Sequence, residues 1–272
     1  MKSVKQYSFL LLAGVFLFIG CEKNPLTGKH TMAFVDNSSL FPTAFRFYDE
    51  FISENKVISK SPEAAMVERA GNNIMKAAEK WLAAEGYGDY LSEYQWEFTL
   101  IESEEVNAWA LPGGKIVFYT GIMPVAMNEE GIATVMGHEI AHALLNHAQQ
   151  RQSAGILRTL GAIAISFFIS DESAVSRELA MIAYDMGSQV LGTLPFSRKH
   201  EKEADHYGLI LMAIAGYNPE EAAPLWDRMS GLGGGGMPVF LSTHPMSADR
   251  AKNLRKLAPE AKSKAREFGV EF

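Results

Sequence analysis

The sequence predicts an α+β fold, mostly helical, with a small β-sheet beside one buried helix. Three observations carry that expectation. Residues 39–85 read as two helices, the second with Ala65, Val67, Ala70, Ile74, Met75, Ala78 and Leu82 at helical spacing. Residues 94–101 alternate like a strand, and residues 107–111 and 115–119 read as two more, joined by the Pro112-Gly113-Gly114 turn. An apolar run then leads into Gly137-His138-Glu139-Ile140-Ala141-His142, which Ala143, Leu144 and Leu145 follow, so this helix is expected to be buried.

The chain has 272 residues, 47% of them hydrophobic, enough for one globular domain with a substantial core. Its net charge of −7 makes nucleic acid an unfavoured partner. At the N-terminus, Lys2 and Lys5 precede an apolar run over residues 9–19, about the length of a signal-peptide core and short for a membrane span. The run ends in Phe18-Ile19-Gly20-Cys21, which resembles a bacterial lipoprotein box, with Phe18 where Leu is more usual. Residues 1–20 are therefore expected to be a lipoprotein signal peptide, with lipid on Cys21. Residues 21–38 would form a tether and residues 39–272 the catalytic domain. The expected location is the cell envelope, facing the periplasm, with the outer membrane favoured because Glu22 is not Asp. Cys21 is the only cysteine, so no internal disulfide can form.

Two imidazoles four residues apart lie about 40° apart around a helix, so His138 and His142 can reach one metal ion while Glu139 projects beside it. Imidazoles and a carboxylate in a core are costly unless paired or bound to metal, which favours a zinc hydrolase over a chance pattern. A catalytic zinc takes three protein ligands and keeps one position for water, so a third donor is required. His147 lies five residues after His142, about 140° further round a continuous helix, and reads as a surface or supporting residue. The better candidate lies in Phe196-Ser197-Arg198-Lys199-His200-Glu201-Lys202-Glu203-Ala204-Asp205-His206-Tyr207-Gly208. There Glu201 and Asp205 share a helix face, which suits one ligand and one carboxylate behind a ligand histidine.

These motifs, with Asn107-Ala108-Trp109-Ala110-Leu111-Pro112-Gly113-Gly114 before them and Ser242-Thr243-His244-Pro245 and Arg250 after them, resemble metallopeptidase family forty-eight across most of the chain. That is the family of HtpX, BepA and the CAAX prenyl proteases. The resemblance implies a zincin-like metallopeptidase domain of the gluzincin type. It implies one zinc held by His138, His142 and Glu201, with Glu139 as general base. It further implies a supporting role for Asp205 and an active-site role for His244, either as a donor to the tetrahedral oxyanion or as a plug in the open metal position. Arg250 is expected to cap or salt-bridge the closing helices. Residues Asn107, Ala108, Trp109 and Ala110 are expected to line the substrate groove, where an edge strand can hold an extended peptide by ladder hydrogen bonds.

Between these motifs, residues 154–170 are rich in large apolar side chains but carry Arg158, and are read as one arm of a core helix hairpin with residues 173–194, the alternative being a helical lid that touches lipid or substrate. Residues 233–236, four glycines, read as a flexible loop, and residues from 247 onward as a closing helix. The expected function is zinc-dependent endopeptidase action on misfolded or misassembled envelope proteins, with extended peptides as partners and the membrane reached through the N-terminal lipid. The alternative is a chaperone-like assembly factor with little or no proteolysis. A prenyl-protein protease is weaker, because the long hydrophobic spans of that branch are missing.

Overall fold

A computed structural model describes residues 21–170, 173–189, 192, 194–232, 238–244 and 249–272. The leader, residues 1–20, the four glycines at 233–236 and Pro245 lie outside the described residues. The chain opens with a short antiparallel hairpin, β1 (Cys21–Lys23) and β2 (His30–Met32). Two helices follow, α1 (Asn37–Glu54) and α2 (Pro62–Ala84). The second begins cleanly because Ser61 accepts a hydrogen bond from the Ala64 N–H and Pro62 supplies a helical φ where no donor is needed. Strands β3 (Glu97–Ile101), β4 (Ala108–Leu111) and β5 (Lys115–Tyr119) form a sheet in the order β3-β5-β4, parallel between β3 and β5 and antiparallel between β5 and β4. The turn between β4 and β5 holds Gly113 and Gly114 at φ of 85° and 95°, a left-handed path that side chains resist. One turn of helix, α3 (Met123–Ala126), precedes α4 (Glu129–Leu144), which Asn128 caps through the Gly131 N–H. Then come α5 (His147–Phe168), α6 (Ala174–Ser188), α7 (Leu194–Ile214), α8 (Ala222–Ser230), the short α9 (Val239–Thr243) and α10 (Arg250–Glu267). The α+β, mostly helical architecture with a small sheet matches the expectation.

Helix α4 runs through the middle of the core, and residues 131–144 are buried without exception. Val67, Ile74 and Leu82 of α2, Ile116 and Phe118 of β5, and Leu211 of α7 are buried in one cluster with Ile132, Met136 and Ile140 of α4. Each such side chain contributes about 1.5–3 kcal/mol on burial, so a helix enclosed on every face is held firmly in rotation. Its crossing with α7 is closer than side chains allow. A Cβ on Gly208 would lie 2.7 Å from the carbonyl carbon and oxygen of Gly137 and 2.8 Å from the backbone nitrogen of His138.

The segment expected to be a tether is docked instead. Asn24 is buried, and its side-chain amide donates to the Leu144 carbonyl at 2.8 Å while its oxygen accepts from the N–H groups of Leu26 and Thr27. Tyr90 Oη also donates to that carbonyl, at 3.0 Å, so the exposed end of α4 is satisfied from outside the helix.

Residues 154–170 do form a helix hairpin with the next helix, but it is not in the core. Leu160, Ile163, Phe167 and Phe168 are exposed, Phe167 by 77%, and α6 buries none of its residues. The two arms are held mainly to one another, by Tyr184 Oη donating to the Arg158 carbonyl at 2.8 Å and by the Arg158–Asp185 ion pair. The apolar content that suggested burial is turned outward. Among the described residues, no helix is long and apolar enough to cross a membrane.

Because the atoms that a Cβ at residue 208 would strike are backbone, they cannot rotate away. Gly208→Ala is therefore expected to separate α4 from α7 at a cost of about 1–3 kcal/mol, read from the denaturant midpoint, and to weaken zinc retention with it. A midpoint equal to that of the parent protein would show that the crossing has slack.

Candidate active site

Helix α4 presents His138 and His142 on one face, and α7 crosses it so that Glu201, two turns before Gly208, arrives opposite them. Nε2 of His138 and Nε2 of His142 are 3.0 Å apart. Glu201 reaches both, Oε2 at 3.2 Å from His138 Nε2 and Oε1 at 3.4 Å from His142 Nε2. His244 closes the group from the end of α9, with Nδ1 at 3.3 Å from His138 Nε2 and 3.2 Å from Glu201 Oε2. One donor atom from each of His138, His142, Glu201 and His244 lies within 4.8 Å of the others, and all four residues are buried. Donors about 2.0–2.1 Å from a tetrahedral zinc stand about 3.3 Å from one another, so the separations between His138, His142 and Glu201 are of the size that such an ion requires.

The electrostatics point the same way. Burial alone would raise Glu201, yet the three imidazoles bonded to it hold it well below the usual carboxylate range. Burial and Arg250 push His138 down, but Asp205 and Glu201 outweigh them and raise it to about 9. Two carboxylates that attract a proton there would attract a dication more strongly. Glu139, buried beside them, is raised by desolvation; its Oε1 makes no hydrogen bond, and His244 Nε2 is 3.4 Å away. The shift is in the direction that a general base working near neutral pH requires.

Behind the donors, Asp205 Oδ1 lies 3.1 Å from Nδ1 of His138, and the Arg250 guanidinium donates to the same oxygen from Nε at 3.0 Å. Arg250 also lies flat against Trp226, 3.5 Å from its ring centroid, and its Nη1 is 3.7 Å from Glu201 Oε2. Trp226 stacks on Phe240, and Phe240 on His244, so an aromatic column fixes the histidine that closes the group. Arg250, expected to cap or salt-bridge the closing helices, instead spans Glu201 and Asp205 of α7. Trp226 and Phe240 gave no signal in the sequence, since a Trp among Ala222, Leu225 and Met229 reads as ordinary core.

The strand expected to line the groove is an edge of the three-stranded sheet. Ala110 and Leu111 share a crevice with His142 and Arg151, and Ala108 is fully buried. Asn107 is buried with its Oδ1 unbonded, while its carbonyl accepts from the Tyr119 N–H. Trp109 turns the other way, against Phe51 of α1 and with Nε1 donating to Tyr119 Oη, so its side chain belongs to a separate small cluster.

The sequence profile of Peptidase family M48 matches residues 74–258, which span all of these groups from α2 to α10. The chain belongs to this family. It is a zinc-dependent protease. Among M48 relatives it is 32% identical over 256 residues to "Mitochondrial metalloendopeptidase OMA1" of Schizosaccharomyces pombe, covering 92% of this chain and 70% of that protein. It is 28% identical to the protein of the same name in Saccharomyces cerevisiae, covering 96% of this chain and 76% of the relative. It is 27% identical to "Metalloprotease YcaL" of Escherichia coli, covering 76% of this chain and 74% of that protein. These matches correct the expected location. The relatives that cover nearly the whole chain are named mitochondrial, against the expectation of a periplasm-facing lipoprotein with the outer membrane favoured. That expectation rested on residues 2–22, which lie outside the part that the M48 profile matches.

Removing Arg250 leaves Asp205 buried without its cation. Arg250→Met is therefore expected to cost about 3–5 kcal/mol, the usual penalty for breaking a buried pair from one side. Combining it with Asp205→Asn should cost less than the two changes separately, because the second removes the charge that the first strands. Additive losses in a denaturant-melt cycle would show that the two residues act independently.

Proposed function

We propose that the protein is an endopeptidase for extended segments of misfolded or misassembled proteins, whose site His244 holds closed until substrate enters. The observation that carries this reading is the convergence of His138, His142, Glu201 and His244 beside the free edge of β4. His138, His142 and Glu201 hold the zinc, and Asp205 steadies His138 through Nδ1. Zinc supplies the positive charge that makes a water acidic enough to ionise near neutral pH. With zinc in place, Glu139 would take a proton from the water that attacks the peptide carbonyl and pass it to the leaving amine. His244 Nδ1 stands with the metal donors, which supports the plug role over the oxyanion role.

Substrate recognition follows from strand pairing. Asn107 is hydrogen-bonded to Tyr119, and pairing alternates along β4 and β5, so the backbone groups of half-buried Ala110 face the open edge, while those of fully buried Ala108 are covered. A peptide laid along that edge is gripped by main-chain bonds, which every sequence offers once unfolded. The exposed apolar hairpin favours a second use, holding unfolded protein with little cleavage. The position of Cys21, exposed at the start of β1 and directly after the apolar run, supports lipidation there as a separate proposal. Cys21→Ser is then expected to abolish fatty-acid labelling, and undiminished labelling would refute it.

The decisive comparison uses casein as an unfolded substrate with zinc measured on each protein. Glu139→Gln is expected to keep zinc and lose cleavage, and Glu201→Ala to lose most of its zinc. Full zinc in the Glu201 variant would remove that residue from the ligand set. Cleavage by Glu139→Gln at the parental rate would remove Glu139 as the base, and a parent protein that binds casein without cleaving it would leave only the holding function. His244→Ala is expected to raise basal cleavage several-fold. A fall of about a hundredfold in turnover with unchanged KM would instead restore the oxyanion role.

A further inference from the structure

The two histidines of α4 are braced differently. Nδ1 of His138 meets a carboxylate, Asp205. Nδ1 of His142 meets another imidazole, with Nδ1 of His147 at 2.8 Å. Two ring nitrogens at that distance share one proton, one donating and the other accepting. Nε2 of His142 is the nitrogen turned to Glu201 and His138, so its lone pair must be free for the metal. The shared proton therefore belongs to Nδ1 of His142, and His147 accepts it. That leaves the proton of His147 on Nε2, which faces Glu203 Oε2 at 3.6 Å, a charge contact longer than a hydrogen bond.

A continuous helix could not make this contact, because five residues carry the side chain about 140° round the axis. The chain breaks the helix at Asn146, which adopts a left-handed conformation with φ of 54° and ψ of 36° between α4 and α5. Tyr90 Oη accepts from the Asn146 side chain at 3.0 Å, and Asn37 donates to it at 3.4 Å, so the bend is fixed from two sides. The bend turns His147 back over His142. There it is fully buried, with its ring stacked at 4.0 Å on His200, whose Nε2 lies 3.2 Å from Gln150 Oε1. A non-glycine residue in left-handed backbone is strained, and strain of that kind persists where the surrounding structure over-determines it.

We infer that His147 is a positioning residue that fixes the Nδ1–H tautomer and ring orientation of His142, with Glu203 behind it. The inference rests on His142 being a zinc ligand and adds the group that holds it in its ligating form. Because the acceptor is a neutral ring rather than a carboxylate, it orients His142 without adding a negative charge to a site that already holds Glu201, Glu139 and Asp205.

The test measures zinc affinity by competition with a chromophoric chelator at one pH, alongside thermal melts. His147→Leu fills the space without an acceptor and is expected to weaken zinc binding about 10–100-fold. His147→Asn places an amide oxygen near the lost Nδ1 and is expected to recover most of that loss. Glu203→Gln should act in the same direction as His147→Leu but more weakly. A folded His147→Leu protein with affinity within twofold of the parent would overturn the inference, as would Leu and Asn variants that are equally impaired. Should His147→Leu fail to fold, long-range nitrogen–proton NMR on the zinc-loaded Glu139→Gln protein decides directly. The expected spectrum shows His142 protonated at Nδ1 and His147 at Nε2, and a proton on Nδ1 of His147 would overturn the assignment. His142→Ala is the control. If it keeps its zinc, the ligand reading falls and takes this inference with it, whereas its loss of zinc beside an unaffected His147→Leu sinks the inference alone.

Discussion

Everything at the active site depends on how closely two helices can approach. Gly137 and Gly208 let the backbones of α4 and α7 touch without intervening side chains, and the donors sit within two turns of that contact. Helix separation is normally set by side chains at 8–10 Å, with variation whenever those side chains change. Backbone contact replaces that adjustable spacing by a hard limit. Glu201 thereby reaches Nε2 of both histidines with a short side chain, and Asp205, one turn on, reaches the Nδ1 of His138.

The second constraint is charge. Glu139 and Glu201 are buried and the Asp205 side chain is 12% exposed, and such groups are tolerated only with compensation. Arg250 provides part of it, spread over Asp205 and Glu201 and pressed against the Trp226 face, where a guanidinium keeps cation–π attraction after losing its water. A zinc ion held by Glu201 would provide the rest. Arg250 is the first residue of α10, so the closing helix of the chain is coupled to the electrostatics of the site it covers.

What the sequence revealed was what depends on local geometry. The His138 and His142 pair follows from helical spacing, and Glu201 with Asp205 from the same rule applied a second time. The two glycines after Pro112 announced their turn because only glycine takes that path cheaply. What it hid depends on long-range packing. His147 appeared to face away because Asn146 gives no sign that it will leave the helical region, and an asparagine there is equally at home in a helix end. Apolar residues 154–170 suggested a core, since hydrophobicity records which side chains avoid water and not whether a given fold covers them. Trp226 and Phe240 were indistinguishable from ordinary core until α8 and α9 were seen to set Trp226 edge-on to His138 and Phe240 flat on His244. The leader misled on location because its basic, apolar and Cys pattern was read apart from the domain that follows it.

The docking of Asn24 has a practical side. The family match begins at residue 74, which invites a minimal catalytic fragment starting near α2. Such a fragment would lack one of the two donors to the Leu144 carbonyl, at the end of the helix that carries His138 and His142. It would also lose the bonds by which the Phe34 N–H and the Val35 carbonyl hold Ser153 and Gln149 at the root of α5. The contacts that support the metal helix therefore begin some fifty residues ahead of the family match. The segment from Asn24 to Val35 is thus fastened both to the last turn of the metal helix and to the helix that follows it.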